Sequence, residues 1–174
     1  MLLFFILSYL YIAIPLYKDV IYHGPDRMFH LERLEEAYQA LKNGNIVSMI
    51  STYSSSRVGQ AINIFYPWIN LIPYGIIRIL VFKLITAYYL FMMLEQFLGL
   101  FIAYLCSLKL IKNQKSSILF AILYRFSVYI LINDFARVDI GEAWATVFLP
   151  IVFLGSYTIF SANRKGSYIQ GSIF

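Results

Sequence analysis

Cysteine is almost absent: Cys106 stands alone inside an apolar run, so no disulfide can close within the chain and no thiol or cysteine-zinc motif exists. A small side chain packed in a core accounts for it. Charge is scarce as well. Only 13% of the 174 residues are charged, against 60% hydrophobic and 18% aromatic, and the mean hydropathy of +0.70 lies well outside the range of soluble globular domains. The composition is that of an integral membrane protein. The net charge of +5 does not imply a nucleic-acid partner, because the basic residues mostly sit in short clusters beside apolar runs, where they set topology. Internal repeats and low-complexity tracts are lacking too.

What the chain has in abundance is apolar sequence. Crossing about 30 Å of hydrocarbon takes roughly 20 apolar residues, and lipid demands that every backbone polar group be paired, so the long runs must be helices. Met1 to Tyr17 has the length of a signal peptide but neither a basic start nor a small-x-small cleavage site, and is expected to remain as an anchor helix. Three more spans are expected, at Leu84 to Leu108, Ser116 to Asn133 and Ala143 to Ala162. Basic residues follow two of them, Lys109, Lys112 and Lys115 in one turn and Arg164 with Lys165 after the other.

Residues 62–82 are apolar enough to span but contain Pro67, Pro73 and Arg78. If they span, both basic clusters face outward, against the positive-inside bias; if they lie at the interface or re-enter, both clusters face the cytoplasm. Charge placement favours the second arrangement. The expected fold is an all-α integral membrane protein of about four to five transmembrane helices, a single membrane domain over residues 1–174 in the cell membrane. Its long first loop, residues 18–61, is expected on the outer face, with an amphipathic juxtamembrane helix over residues 26–42. Within this loop "STYSSSRVGQ" has the small polar residues of a flexible lid. The ending "NRKGSYIQGSIF" offers no closing domain, so the chain is read as the N-terminal part of a longer architecture, with a second polypeptide as one way of completing the bundle.

At 100° per residue the helix over 26–42 separates into faces. Leu31, Leu34, Tyr38 and Leu41 form an apolar stripe, Glu32, Glu35 and Glu36 fall on the opposite, solvated side, and Asp26, His30 and Arg33 line up at the stripe's edge. Each of these three also has a plain structural reading: Asp26 as a helix cap, His30 as an interfacial side chain, Arg33 as a partner of Glu36. A second polar island, "NDFARVDIGEAW", carries Asp134, Arg137, Asp139 and Glu142, of which Asp139 or Glu142 suits the N-terminus of the following helix. In the favoured topology both islands face one compartment, so their carboxylates can converge; paired carboxylates with cations nearby are what a general base and a phosphate leaving group require. Glu95, Gln96 and Arg125 lie at membrane depth, where ionisable groups normally turn inward and find partners.

The order "PDRMFHLERLEEAYQALKNGNI", "FYPW", "AILYRFSVYILINDFARVDIGEAWATVFLPIVFLG" resembles bacterial multi-spanning proteins with a membrane domain labelled 6-pyruvoyl-tetrahydropterin synthase-related. It is also similar to YfhO-like membrane proteins and, more distantly, to the C-type glycosyltransferase superfamily (GT-C). The pterin label transfers no chemistry, because the zinc-binding histidines of the soluble synthase are missing. What the resemblance implies is transfer of a sugar from a polyprenyl-phosphate carrier at the outer membrane face. Asp26, helped by Glu142, would take the acceptor proton; Arg33 and Arg137, with Arg57 as a further candidate, would offset the departing phosphate; His30 and Asp139 would line the substrate site. Phe65, Tyr66 and Trp68 would flank the carrier at headgroup level. No cofactor is identified, although an acidic pair is compatible with a divalent cation. Two other readings stay open: a non-catalytic partner or scaffold of the same family, and a transporter resting on Glu95 and Arg125.

Overall fold

The computed structural model describes residues 1–47, 49–54 and 57–161, and among these the secondary structure is helical, with no strand. The helices are α1 (Leu2–Lys18), α2 (Arg27–Lys42), α3 (Ile62–Phe65), α4 (Ile72–Val81), α5 (Leu84–Ile111), α6 (Gln114–Arg125), α7 (Val128–Leu131) and α8 (Ile140–Ser161), with a 3-10 turn at Ile69–Leu71 and a π-helical turn at Ile132–Arg137. Three stretches are long and apolar enough to cross a membrane: α5, residues Gln114–Arg137 taken together, and α8; Leu2–Lys18 and Ile69–Val81 are shorter apolar helices. Arg164 and Lys165, expected as a topology signal, lie outside the described residues.

Two of the apolar stretches are interrupted. Residues 62–82 do not form one rod: Tyr66 before Pro67 is extended, as a residue preceding proline tends to be, and α4 has only 10 residues. At 1.5 Å per residue that is about 15 Å, half the hydrocarbon thickness. The run expected over Ser116 to Asn133 breaks at Ser127, whose backbone is extended, and resumes as α7 and the π-helical turn. Val138 then takes φ 61, a left-handed conformation that a β-branched residue rarely adopts, and reverses the chain before α8.

The long helix α5 is the hub, contacting α1, α4, α6 and α8, while α2 packs on α4. Small residues make the close approaches possible, as in other membrane bundles. A side chain at Gly75 would run into Leu41 and the Ala37 carbonyl of α2, and one at Gly99 would run into the Arg125 side chain. The core joins Ile12, Leu34, Tyr74, Tyr89, Phe91 and Trp144, so α2 shares one apolar cluster with the long helices.

Candidate functional site

The two polar islands meet. Asp26 sits at the N-cap position of α2, but its side chain makes no capping hydrogen bond; its Oδ2 accepts instead from Arg137 Nη2 at 3.2 Å. The backbone closes the same junction, the Asp26 N–H donating to the Arg137 carbonyl at 3.3 Å. Gly24 lies so near that a Cβ there would overlap this carbonyl. Glycine is the residue that permits the approach.

Arg137 is the centre of the cluster. Its Nη2 also donates to Asp139 Oδ2 at 3.1 Å, while Nη1 donates to Glu142 Oε2 at 3.0 Å and Asn133 Oδ1 at 3.2 Å. The left-handed Val138 turns the chain so that Arg137 and Asp139 can pair although two residues apart. Asp139 behaves as expected of a residue before a helix, its Oδ1 accepting from the Glu142 N–H at 3.1 Å. Tyr129 adds a hydroxyl donor to Glu142 Oε2 at 2.7 Å.

His30 completes the set from α2, with Nε2 3.1 Å from Asp139 Oδ1 and the ring almost wholly buried. Burial, the larger influence, lowers its pKa below the ordinary 6.5, although Asp139 opposes that shift. Nδ1 has no hydrogen-bond partner, which suits a neutral imidazole donating through Nε2 and bearing a lone pair on the other nitrogen. Of the expected site residues, Asp26, His30, Arg137, Asp139 and Glu142 therefore converge.

Two do not. Arg33 is buried rather than poised over the cluster: its Nη2 donates to the Pro67 carbonyl at 2.9 Å and its guanidinium lies 4.8 Å from the Tyr66 ring centre and 5.6 Å from that of Phe29. Burial lowers its pKa, which for a guanidinium leaves the charge intact. It ties α2 to the Pro67 bend. Arg57 is exposed, at φ 63, with its guanidinium 6.0 Å from the Tyr53 ring centre and in no described contact with the cluster.

The solvated acidic face expected on α2 also needs correction, because α2 is covered on both sides. Glu36 is buried, its two oxygens accepting from the N–H groups of Thr52, Tyr53 and Ser54 at 2.7 to 3.1 Å. Glu35 accepts from Tyr74 and, at 3.2 Å, from Arg78 on α4, and only Glu32 points freely outward. Burial together with the Glu35 carboxylate pushes the Tyr74 hydroxyl well above its ordinary pKa. The segment read as a loose lid is gripped by Glu36 and closed by reciprocal backbone bonds between Ser51 and Gln60 at 2.7 and 3.0 Å. Glu36 is thus neither solvated nor the partner of Arg33, and its partners are backbone groups that leave no mark in the sequence.

A second polar group lies deeper. Arg125 is fully buried and donates to Gln96 Oε1 at 2.8 Å, Thr146 Oγ1 at 2.8 Å and Glu95 Oε1 at 3.0 Å. Asp134 accepts from the Tyr11 hydroxyl of α1 at 2.5 Å. Glu95 and Arg125 are thus partners, as side chains at membrane depth tend to be. An apolar cleft of about 350 Å³ lies further along α8, between Cys106, Tyr124 and Phe153, and none of the charged residues of either polar group lines it.

Among the described residues no three His, Cys, Asp or Glu side chains are grouped to hold a metal ion. The carboxylates of the cluster point at a guanidinium, which occupies the place a cation would take. No protein-family profile matches the chain. No solved structure matches it either. The chain is 26% identical over 161 residues to a protein of Lactococcus lactis subsp. cremoris (strain MG1363) described as uncharacterized, a match covering 90% of this chain. It spans about a quarter of that protein's length, 26%.

Proposed function

We propose that this chain is a membrane module of a GT-C-like glycosyltransferase that uses a polyprenyl-phosphate-linked sugar at the outer membrane face. The observation that supports this reading is the convergence of Asp26 with Asp139 and Glu142 on Arg137, from segments far apart in sequence. In this reading Asp26, assisted by Glu142, removes the acceptor hydroxyl proton while that oxygen attacks the anomeric carbon. The bond from the sugar to the carrier phosphate breaks, and the phosphate leaves with the electron pair.

The geometry adds an order of events. All four terminal N–H groups of Arg137 are matched by four acceptor contacts. A phosphate that takes both terminal nitrogens of Arg137 must displace one of these contacts, and the Asp26 contact, at 3.2 Å, is the longest of the three to carboxylates. Phosphate capture by Arg137 then frees the Asp26 carboxylate to act as base. Arg33 serves by fixing Tyr66 and Pro67 beneath the site, and Arg57 has no part.

The test is sugar transfer by the full-length protein in membranes, with Asp26→Asn and Glu142→Gln. Loss of transfer at unchanged expression supports catalysis; undiminished transfer in both variants removes it. A second reading, a non-catalytic scaffold in which Arg137 clamps the loop to the bundle, draws on that same saturation of its donors. In that case Arg137→Gln lowers the amount of folded protein while no variant of the cluster affects transfer by the partner it supports.

A further inference from the structure

Next to the Arg137 cluster, the charges buried among the long helices do not balance. The ionisable groups that face one another there are Tyr11 from α1, Tyr88 and Glu95 from α5, Arg125 from α6, Asp134 from the π-helical turn, and Asp139 ahead of α8. Asp139 is already matched by Arg137. That leaves two carboxylates, Glu95 and Asp134, for the single guanidinium of Arg125, which bonds to Glu95. Asp134 is buried with a tyrosine hydroxyl as its partner, and one negative charge is left over in a medium that does not tolerate it.

A cavity of about 10 Å³ lies between Glu95, Asn133, Asp134 and Asp139. That is about the space one water molecule needs, provided polar groups surround it. Asn133 is almost wholly buried, and its Nδ2 has no hydrogen-bond partner. Its amide orientation follows from the Arg137 Nη1 bond to Oδ1, which leaves the NH2 group unmatched. An unmatched donor fits a water oxygen and repels a metal cation. The neutralising species is therefore a proton.

We propose that Glu95 and Asp134 form a proton-binding dyad in the bundle core, holding one proton between them across a single water that Asn133 orients. The proton comes from the aqueous phase, one carboxylate oxygen gains it, and no other bond changes. Two carboxylates sharing one proton titrate as a pair, so the site belongs to both residues. Asn133 and Asp139 border both the cavity and the Arg137 cluster, but the dyad itself, Glu95 with Asp134, has no role in the sugar-transfer reading.

Infrared spectroscopy of the full chain in lipid nanodiscs tests it. At neutral pH the wild-type protein is expected to show one protonated-carboxyl stretch per chain, shifted in D2O. In Glu95→Gln and, separately, in Asp134→Asn, the remaining carboxylate is matched by Arg125, and the band disappears. Absence of the band from the wild type overturns the proposal, and that spectrum needs no variant to fold. So does a band that persists in either variant, or one that emerges only when choline replaces Na⁺, which would make the occupant a sodium ion.

Discussion

Arg137 and Arg125 stand at two ends of the same apolar stretch and gather similar partners under opposite conditions. The Arg137 side chain is 39% exposed and holds three carboxylates, Asp26, Asp139 and Glu142. That of Arg125 is fully buried and holds one carboxylate, one amide and one hydroxyl. Where water reaches, an excess of negative charge is screened and partners can exchange. Where it does not, each donor needs an acceptor, and a surplus charge must be neutralised. The first arrangement is suited to trading a carboxylate for an incoming anion, the second to holding helices together.

The largest expected effect comes from the buried end. Arg125→Met leaves Glu95 buried without its cation and should cost about 3–5 kcal/mol of stability, the range for breaking a buried pair by removing one partner. Chemical or thermal unfolding in detergent measures it, and Arg125→Met combined with Glu95→Leu should recover much of the loss. A loss no greater than that of the exposed arginine's substitution would erase the contrast.

An intermediate effect is expected where the two environments meet, at His30. Its folded-state pKa is held below 6.5 by burial, so between that value and the unfolded 6.5 the unfolded chain binds a proton that the native state does not. Stability is then complete above pH 6.5 and declines as pH falls through the folded pKa. The unfolding midpoint of the wild type should drop below that of His30→Gln as the solution is acidified. A slope of opposite sign would show that Asp139, not burial, governs the imidazole.

The smallest effect belongs to Arg137→Gln. It should lower the unfolding midpoint less than Arg125→Met does, with one part that high salt removes, from the exposed Asp26 and Glu142 pairs, and one part that it does not, from the buried Asp139. A loss wholly insensitive to salt would mean that the cluster is drier than its exposure indicates.

Much of this was legible from residue patterns. The helix over 26–42 is present as Arg27–Lys42, with Gly44 beyond it at φ 72, and the apolar runs at Met1 to Tyr17, Leu84 to Leu108 and Ala143 to Ala162 became helices within a few residues of their expected ends. Asp26, Arg137 and Glu142 could be paired on paper because two polar islands in an apolar chain have few places to go. Other contacts left no such mark. Glu36 bonds to backbone N–H groups, which have no residue signature, and Tyr11 meets Asp134 across most of the chain. Glu35 and Glu36 looked solvated on a helical wheel because a wheel omits α4 and the backbone of residues 52–54 that cover them.

Composition and periodicity by themselves determined that the chain is helical and apolar, and where its polar residues fall along it, because lipid admits only backbone that satisfies its own hydrogen bonds. Which arginine meets water and which is sealed from it was decided only by tertiary structure. A side chain's surroundings depend on the helices brought beside it, and Gly99, the break at Ser127 and the turn at Val138 are what bring them there.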